Sequence, residues 1–390
     1  MISSEISGQT VAAVESWTAR EIAQQPQMWL QVEKLIAAER TSLREFIAPI
    51  VDDPAGHIIL AGAGTSAFIG ECLQPALTAR LRCRVDAIPT TDIVSAPQVW
   101  LKSSAPTLLV SFARSGNSPE SRATLDFAER LLGNVRHLII TCNTDGELAV
   151  RARKMRNAHL ILLPEATNDR GLAMTSSFTC MLLAAALVFD AIQPERVARL
   201  ARSAESLLQQ MQARAQQLAA SRFKRVIYVG SNELVGLARE AALKMLELTD
   251  GQIATLAEST LGFRHGPKSM VDRHTLVVVM VSNSAYTRGY DIDLIKELRR
   301  DDRAGGILAL SGRTDGRLTG EHLLFAGVED ATDLELSLLH VIVAQSYALA
   351  ESLAHGLHPD QPNTAGVVNR VVQGVTIYPW EEQSGDVPGR

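Results

Sequence analysis

The chain has 390 residues, 46% of them hydrophobic but only 5% aromatic, and a formal net charge of −5. That length exceeds one ordinary core and predicts two domains, and abundant aliphatics with few aromatics suit α/β layers better than an all-β sandwich. A mildly acidic balance argues against a nucleic-acid surface but not against a local seat for one small anion.

The first seventeen residues carry no basic region followed by an apolar core, so no signal peptide is expected. Next comes WTAREIAQQPQMWLQVEKLIAAERTSLREFI, a helix by its periodic Trp29, Val32, Leu35 and Ile36, with a capping box expected from Thr18 to Glu21. HIILAGAGTSAFIG, from His57, reads as a buried strand, a Gly-rich turn and a helix. TLLVSF from Thr107 is a second strand, followed by the turn SFARSGNSPES and an amphipathic helix. Strands HLIITCN from His137 and HLILLPE from His159 lead to a long apolar helix near 174–192. Its run CMLLAAALVFDAI is too short to span a bilayer. Residues 202–221 form a helical connector, and the same succession then starts again.

RVIYVG, from Arg225, stands 168 residues after HIILAG; TLVVVMVS stands 168 after TLLVSF. GILALSG from Gly306 and HLLFAGVE from His322 complete the series, at offsets of 169 and 163. Apolar strands spaced by helices are buried on both faces, which indicates parallel sheets. The expected architecture is α/β: two duplicated doubly wound units, with an N-terminal helical segment (1–45), a first domain (46–201), a second (202–355) and an irregular tail (356–390). The four cysteines show neither CxxC nor metal spacing and read as reduced core residues of a soluble, cytoplasmic chain.

Ligands of open parallel sheets bind beyond the carboxyl ends of the strands. In the first half, Ser118 is a natural helix N-cap with Pro119 behind it. The amides of Ser115, Gly116 and Asn117 then face a positive helix end, with Thr65 and Ser66 on the neighbouring turn. This suits a phosphate, although the hydroxyls could serve as helix caps alone. The glycines match neither the dinucleotide fingerprint nor the P-loop. In the second half Glu240, Lys244 and Glu247 share one helical face, either as a solvated salt-bridged stripe or as proton-transfer groups together with the loop residue His265.

These residues resemble a known family. GAGTS, the SGNS turn, EAALKMLEL and RHGP are similar to the sugar isomerase (SIS) family, which includes the isomerase half of glucosamine-6-phosphate synthase. PTTDIV, DRGLAMTSS, GFRHGPKSMVD and VNRVVQGVTIYPW resemble its AgaS-type branch, formerly labelled tagatose-6-phosphate ketose/aldose isomerases, for which galactosamine-6-phosphate deamination is the better-supported activity. The resemblance implies a hexosamine 6-phosphate substrate and no metal or organic cofactor. It puts the phosphate on Ser66, Arg114, Ser115 and Ser118, C2-to-C1 proton transfer on Glu247, and ring opening on His265, which the synthase donates across a dimer. Glu240 and Lys244 become the supporting charged pair, Thr175 and Ser176 the hydroxyl turn near the sugar, with Asp169 beside them. The tail is expected to complete the site. The synthase's Schiff-base lysine is replaced by Gln373, and no nucleophilic Cys precedes the repeat, so amino-sugar synthesis from glutamine is not expected. Simple tagatose-6-phosphate isomerisation and a non-catalytic sugar-phosphate sensor are the alternative readings.

Overall fold

A computed structural model describes residues 16–102, 104–372 and 374–380; Gln373 lies outside the described residues. The chain opens with α1, Trp17–Val51. The first half follows with β1 (His57–Ala61), α2 (Thr65–Arg80), β2 (Arg84–Ala87), the short helices α3 (Thr90–Ser95) and α4 (Pro97–Trp100), and β3 (Thr107–Ala113). It continues with α5 (Pro119–Leu131), β4 (Val135–Thr141), α6 (Glu147–Ala152), β5 (Ala158–Leu162) and α7 (Ser176–Val188). Helix α8, Pro194–Ala220, leads across to the second half, starting at a proline eight residues before the expected connector.

The second half holds β6 (Arg225–Gly230), α9 (Glu233–Leu248), β7 (Ala254–Ser259), β8 (Thr275–Val281), α10 (Ala285–Asp301), β9 (Gly306–Ser311), β10 (His322–Leu324) and α11 (Asp333–Ala354). Each half contains one five-stranded sheet, ordered β2-β1-β3-β4-β5 and β10-β9-β8-β6-β7, with every pairing parallel. Read from the opposite edge, the second order repeats the first, so the duplication extends to topology. The sequence reading had four strands in each half; the two it lacked, β2 and β7, are both edge strands.

One continuous apolar cluster runs from β1, β3 and β4 through α1, α7, α8, α9 and α11 to β6 and β8. The halves thus share a core. Helix α7 has a side chain buried at nearly every position, which explains its lack of an amphipathic stripe. Helix α11 is long and apolar enough to cross a membrane, but it is mostly buried in this core.

Helices α2 and α9 pack against each other at the centre. Gly236 permits this approach, because a Cβ there would lie 2.8 Å from the Cys72 amide nitrogen. Glu71 and Arg239, at equivalent positions of the two repeats, pair with each other at 2.6 Å. A local pseudo-two-fold therefore passes between them.

Two corrections concern α1. Its N-cap is Ser16, whose hydroxyl accepts from the Ala19 amide, and not Thr18. The Thr18 hydroxyl instead donates to Asp360 of the tail at 2.8 Å, and Glu21 is turned towards residues 170 and 171. Tertiary partners outcompete the local box.

Candidate active site

Strand β1 sits at the point where the strand order reverses, with β2 on one side and β3 on the other, and Ala61 lies opposite Ser111. The turns after β1 and β3 therefore meet at the crevice where open α/β sheets bind ligands. Ser118 caps α5 as expected, accepting from the Ser121 amide and donating to the Ser121 hydroxyl at 2.7 Å. Gly116 has φ +68°, a left-handed conformation that favours glycine. Asn117 donates its amide to the Ser115 hydroxyl. Among the described residues, the amides of Ser115, Gly116 and Ser118 donate to nothing. Unfilled amides beside a helix N-terminus make an anion seat.

Helix α2 begins at Thr65, with the Thr65 and Ser66 side chains buried. Thr65 is where the halves join chemically: its hydroxyl accepts from Lys244 Nζ of α9 at 2.9 Å. Lys244 also donates to Glu247 and lies 3.5 Å from Glu240. The solvated-stripe reading is excluded, since Glu240 and Lys244 are fully buried and only Glu247 reaches solvent. Burial pushes the Glu240 carboxyl up to about 8, against the pull of Lys244. Burial works against the Lys244 charge, but Glu240 and Glu247 outweigh it and raise its pKa. The arrangement holds a cation against a partly buried carboxylate and joins both to the start of α2.

The guanidinium of Arg114 is buried and donates to the carbonyls of Gly171, Leu172 and Arg370. It ties the β3 turn to the β5–α7 segment and the tail. Its charge still acts on Glu247 and Lys244. Ser176 is fully buried and donates to Asp169, as does Ser177, so Asp169 closes the N-terminus of α7. The Thr175 amide binds Asp169 too, while its buried hydroxyl lacks a partner among the described residues. His265 lies exposed after β7, its ring forming no hydrogen bond or ion pair with the described residues and none with the Glu247 group.

Several residues of this region carried no sequence signal. Arg370, in the tail, binds the carbonyls of Asn168 and Asp169 while its own carbonyl receives Arg114. In the second half the equivalent crevice is filled from within. The amide of Asn283, 168 residues after Ser115, donates to Asp333 at 2.7 Å, and Ser282 donates its hydroxyl to the same carboxylate. Asp291 takes the Ser282 amide and the Thr260 and Ser231 hydroxyls.

Comparison with known proteins identifies the family. Residues 53–191 match the SIS domain model. A Streptomyces coelicolor relative, itself provisionally named D-galactosamine-6-phosphate deaminase AgaS, is 48% identical over 365 residues, 93% of this chain and 95% of that one. D-galactosamine-6-phosphate deaminase AgaS of Shewanella sp. (strain ANA-3) is 44% identical over 93% of this chain and 92% of its own. The crystal structure of tagatose-6-phosphate ketose/aldose isomerase from Escherichia coli superposes with a TM-score of 0.89 at 40% identity, covering 95% of this chain and 98% of that one. The chain belongs to the SIS family, in the group that contains the AgaS proteins.

Proposed function

We propose that the chain deaminates a hexosamine 6-phosphate, D-galactosamine 6-phosphate, with water to D-tagatose 6-phosphate and ammonia. The observation that carries this reading is the Lys244 bridge, which joins Glu247 of α9 to Thr65 after β1, the strand beside β3 and its turn of unfilled amides. The free amides of Ser115, Gly116 and Ser118, with the Thr65, Ser66 and Ser118 hydroxyls around them, hold the phosphate and leave the reacting carbons to Glu247. Ring opening moves the O1 proton to O5 and exposes the aldehyde. Glu247 removes the C2 proton, giving an enolamine, and returns a proton to C1, giving the C2 imine. Water adds to the imine carbon and ammonia leaves, so one water is consumed for each ammonia released. Lys244 donates to Glu247 and holds its carboxyl group in place, and the tail closes the crevice over Arg114.

The ring-opening group is His265 of a second copy of the chain. Its exposure, with that of Leu261 nearby, supports a homodimer in which this loop enters the partner's crevice. Four buried, unpaired cysteines support a reducing, cytoplasmic setting.

Purified protein incubated with galactosamine 6-phosphate should release ammonia and ketose phosphate in equal amounts. Aldose formed from tagatose 6-phosphate without ammonia would favour simple isomerisation instead, the activity in the name of the superposed Escherichia coli structure. Silence with both would point to a binding module. For the dimer, mixing inactive Glu247→Gln and His265→Ala chains should restore about a quarter of the activity, because half the random dimers carry one intact site of two. No recovery would place His265 outside the partner's site.

A further inference from the structure

Residues 168–172, at the carboxyl end of the first sheet, are gripped by elements that belong to neither sheet. Arg370 of the tail holds the Asn168 and Asp169 carbonyls, and the Asp360 carbonyl takes the Leu172 amide at 3.1 Å. From α1, Glu21 accepts the Arg170 amide at 2.5 Å and the Gly171 amide at 3.3 Å. On its other side the same segment presents the Gly171 and Leu172 carbonyls to Arg114, at 3.2 and 3.0 Å. Gly171 thus has its amide on Glu21 and its carbonyl on Arg114. Nothing larger fits, because a Cβ there would lie 2.6 Å from the Thr18 hydroxyl oxygen and 3.1 Å from the Glu21 carboxylate.

We infer that Glu21 is a positioning residue for the active site: by holding two amides of residues 170–171 it fixes the carbonyls that fix Arg114, and with Arg114 the Ser115–Ser118 turn. The inference rests on the reading of that turn as the phosphate seat. Glu21 never meets the substrate; it acts through one peptide segment and one guanidinium.

The geometry also exposes the link to pH. Glu21 lines a cavity of about 690 Å³ together with Trp17, Gln24, Asn168, Arg170 and Arg370, which gives protons a route to it. Burial, then the charges of Asp169 and Asp360, push its carboxyl up to about 7 in spite of the two amides. The facing cations are otherwise engaged: Arg370 is bound to carbonyls, and Arg20 and Arg170 lie over the Trp17 ring. As pH falls through about 7 the carboxylate takes a proton, its two amide bonds weaken, and the grip on Arg114 relaxes.

The test is Glu21→Gln, which keeps the shape but is neutral at every pH. Its KM for galactosamine 6-phosphate should rise about tenfold, the equivalent of one lost hydrogen bond to a charged group, with kcat within about twofold. Wild-type KM should rise as pH drops from 8 to 6, and that of the variant should stay flat. Amide hydrogen exchange at pH 7.5 supplies a readout that needs no turnover: residues 168–172 and 111–118 should both lose protection in the variant. Unchanged KM together with unchanged protection at 111–118 overturns the inference. Coupled exchange in a protein without deaminase activity would leave the link standing and remove only the functional reading. If Glu21→Gln does not fold, Glu21→Asp, with the charge on a shorter arm, must show raised KM and faster exchange at 111–118; wild-type behaviour in it refutes the role.

Discussion

Replacing His340 by leucine should flatten the acid side of the stability curve. His340 sits fully buried in the middle of α11, edge-on to Phe325 at 4.9 Å, and neither ring nitrogen finds a partner among the described residues. Burial pushes its pKa from 6.5 down to about 3. The sign follows directly. The unfolded chain binds a proton near pH 6.5 and the folded chain refuses it, so stability present above pH 6.5 drains away as pH falls towards 3. At pH 5, about 1.5 units below the unfolded value, the loss is about 2 kcal/mol, and below pH 3 it approaches about 5 kcal/mol. Leucine has no proton to gain and removes an unpaired buried N–H, itself worth about 1–3 kcal/mol. Urea unfolding of both proteins at pH 7.5 and 5 measures the difference, and groups titrating alike in both cancel. The advantage of His340→Leu should grow by about 2 kcal/mol between the two pH values. An advantage constant to within about 0.5 kcal/mol would mean that the native histidine accepts the proton, and the burial argument would fail.

Glu247→Gln should lower kcat by at least about a thousandfold while binding of a sugar phosphate changes little, since a carboxylate that moves the proton is lost and the amide seat is not. A fully active variant removes Glu247 from the chemistry. Gly236→Ala sets two effects against each other: alanine favours a helix interior by about 1 kcal/mol, but its methyl collides with the α2 backbone at 2.8 Å. Overpacking should win by about 1–3 kcal/mol, and because the same joint brings Thr65 to Lys244, activity should fall in folded protein as well. Wild-type stability and turnover would show that the two helices slide apart at no cost.

Much of the fold was legible because interior strands announce themselves. β1, β3 and β8 are buried at every position and stand out as apolar runs. β2 and β7 do not: each lies at a sheet edge with partly exposed residues, so RVDA and ATLAES carry charged or small side chains without a continuous apolar signal. The helix start at Ser118 and Pro119 was readable, since the cap and its partner are three residues apart. The start of α1 was not, because the residue that claims Thr18 is Asp360, far along the chain.

The same division holds in the site. The spacing of Glu240, Lys244 and Glu247 gives a shared face, but spacing is silent about whether that face meets water or Thr65. The family resemblance put Arg114 among the phosphate ligands. Its partners prove to be carbonyls at residues 171, 172 and 370, which no local pattern encodes. Glu21 and Arg370 likewise work through distant partners, at residues 170 and 171 and at residues 168 and 169.

The aspartate seated on Asn283 has a consequence for how the duplicated halves divide their labour. A carboxylate carried at the start of α11 is a tethered ligand: it occupies its seat at an effective concentration that a dissolved metabolite would have to exceed. A phosphate arriving there would find its place taken by the carboxyl groups of Asp333 and Asp291, whereas the turn in the first half offers open amides. One repeat has become its own occupant, while among the described residues the matching turn of the other keeps its amides open.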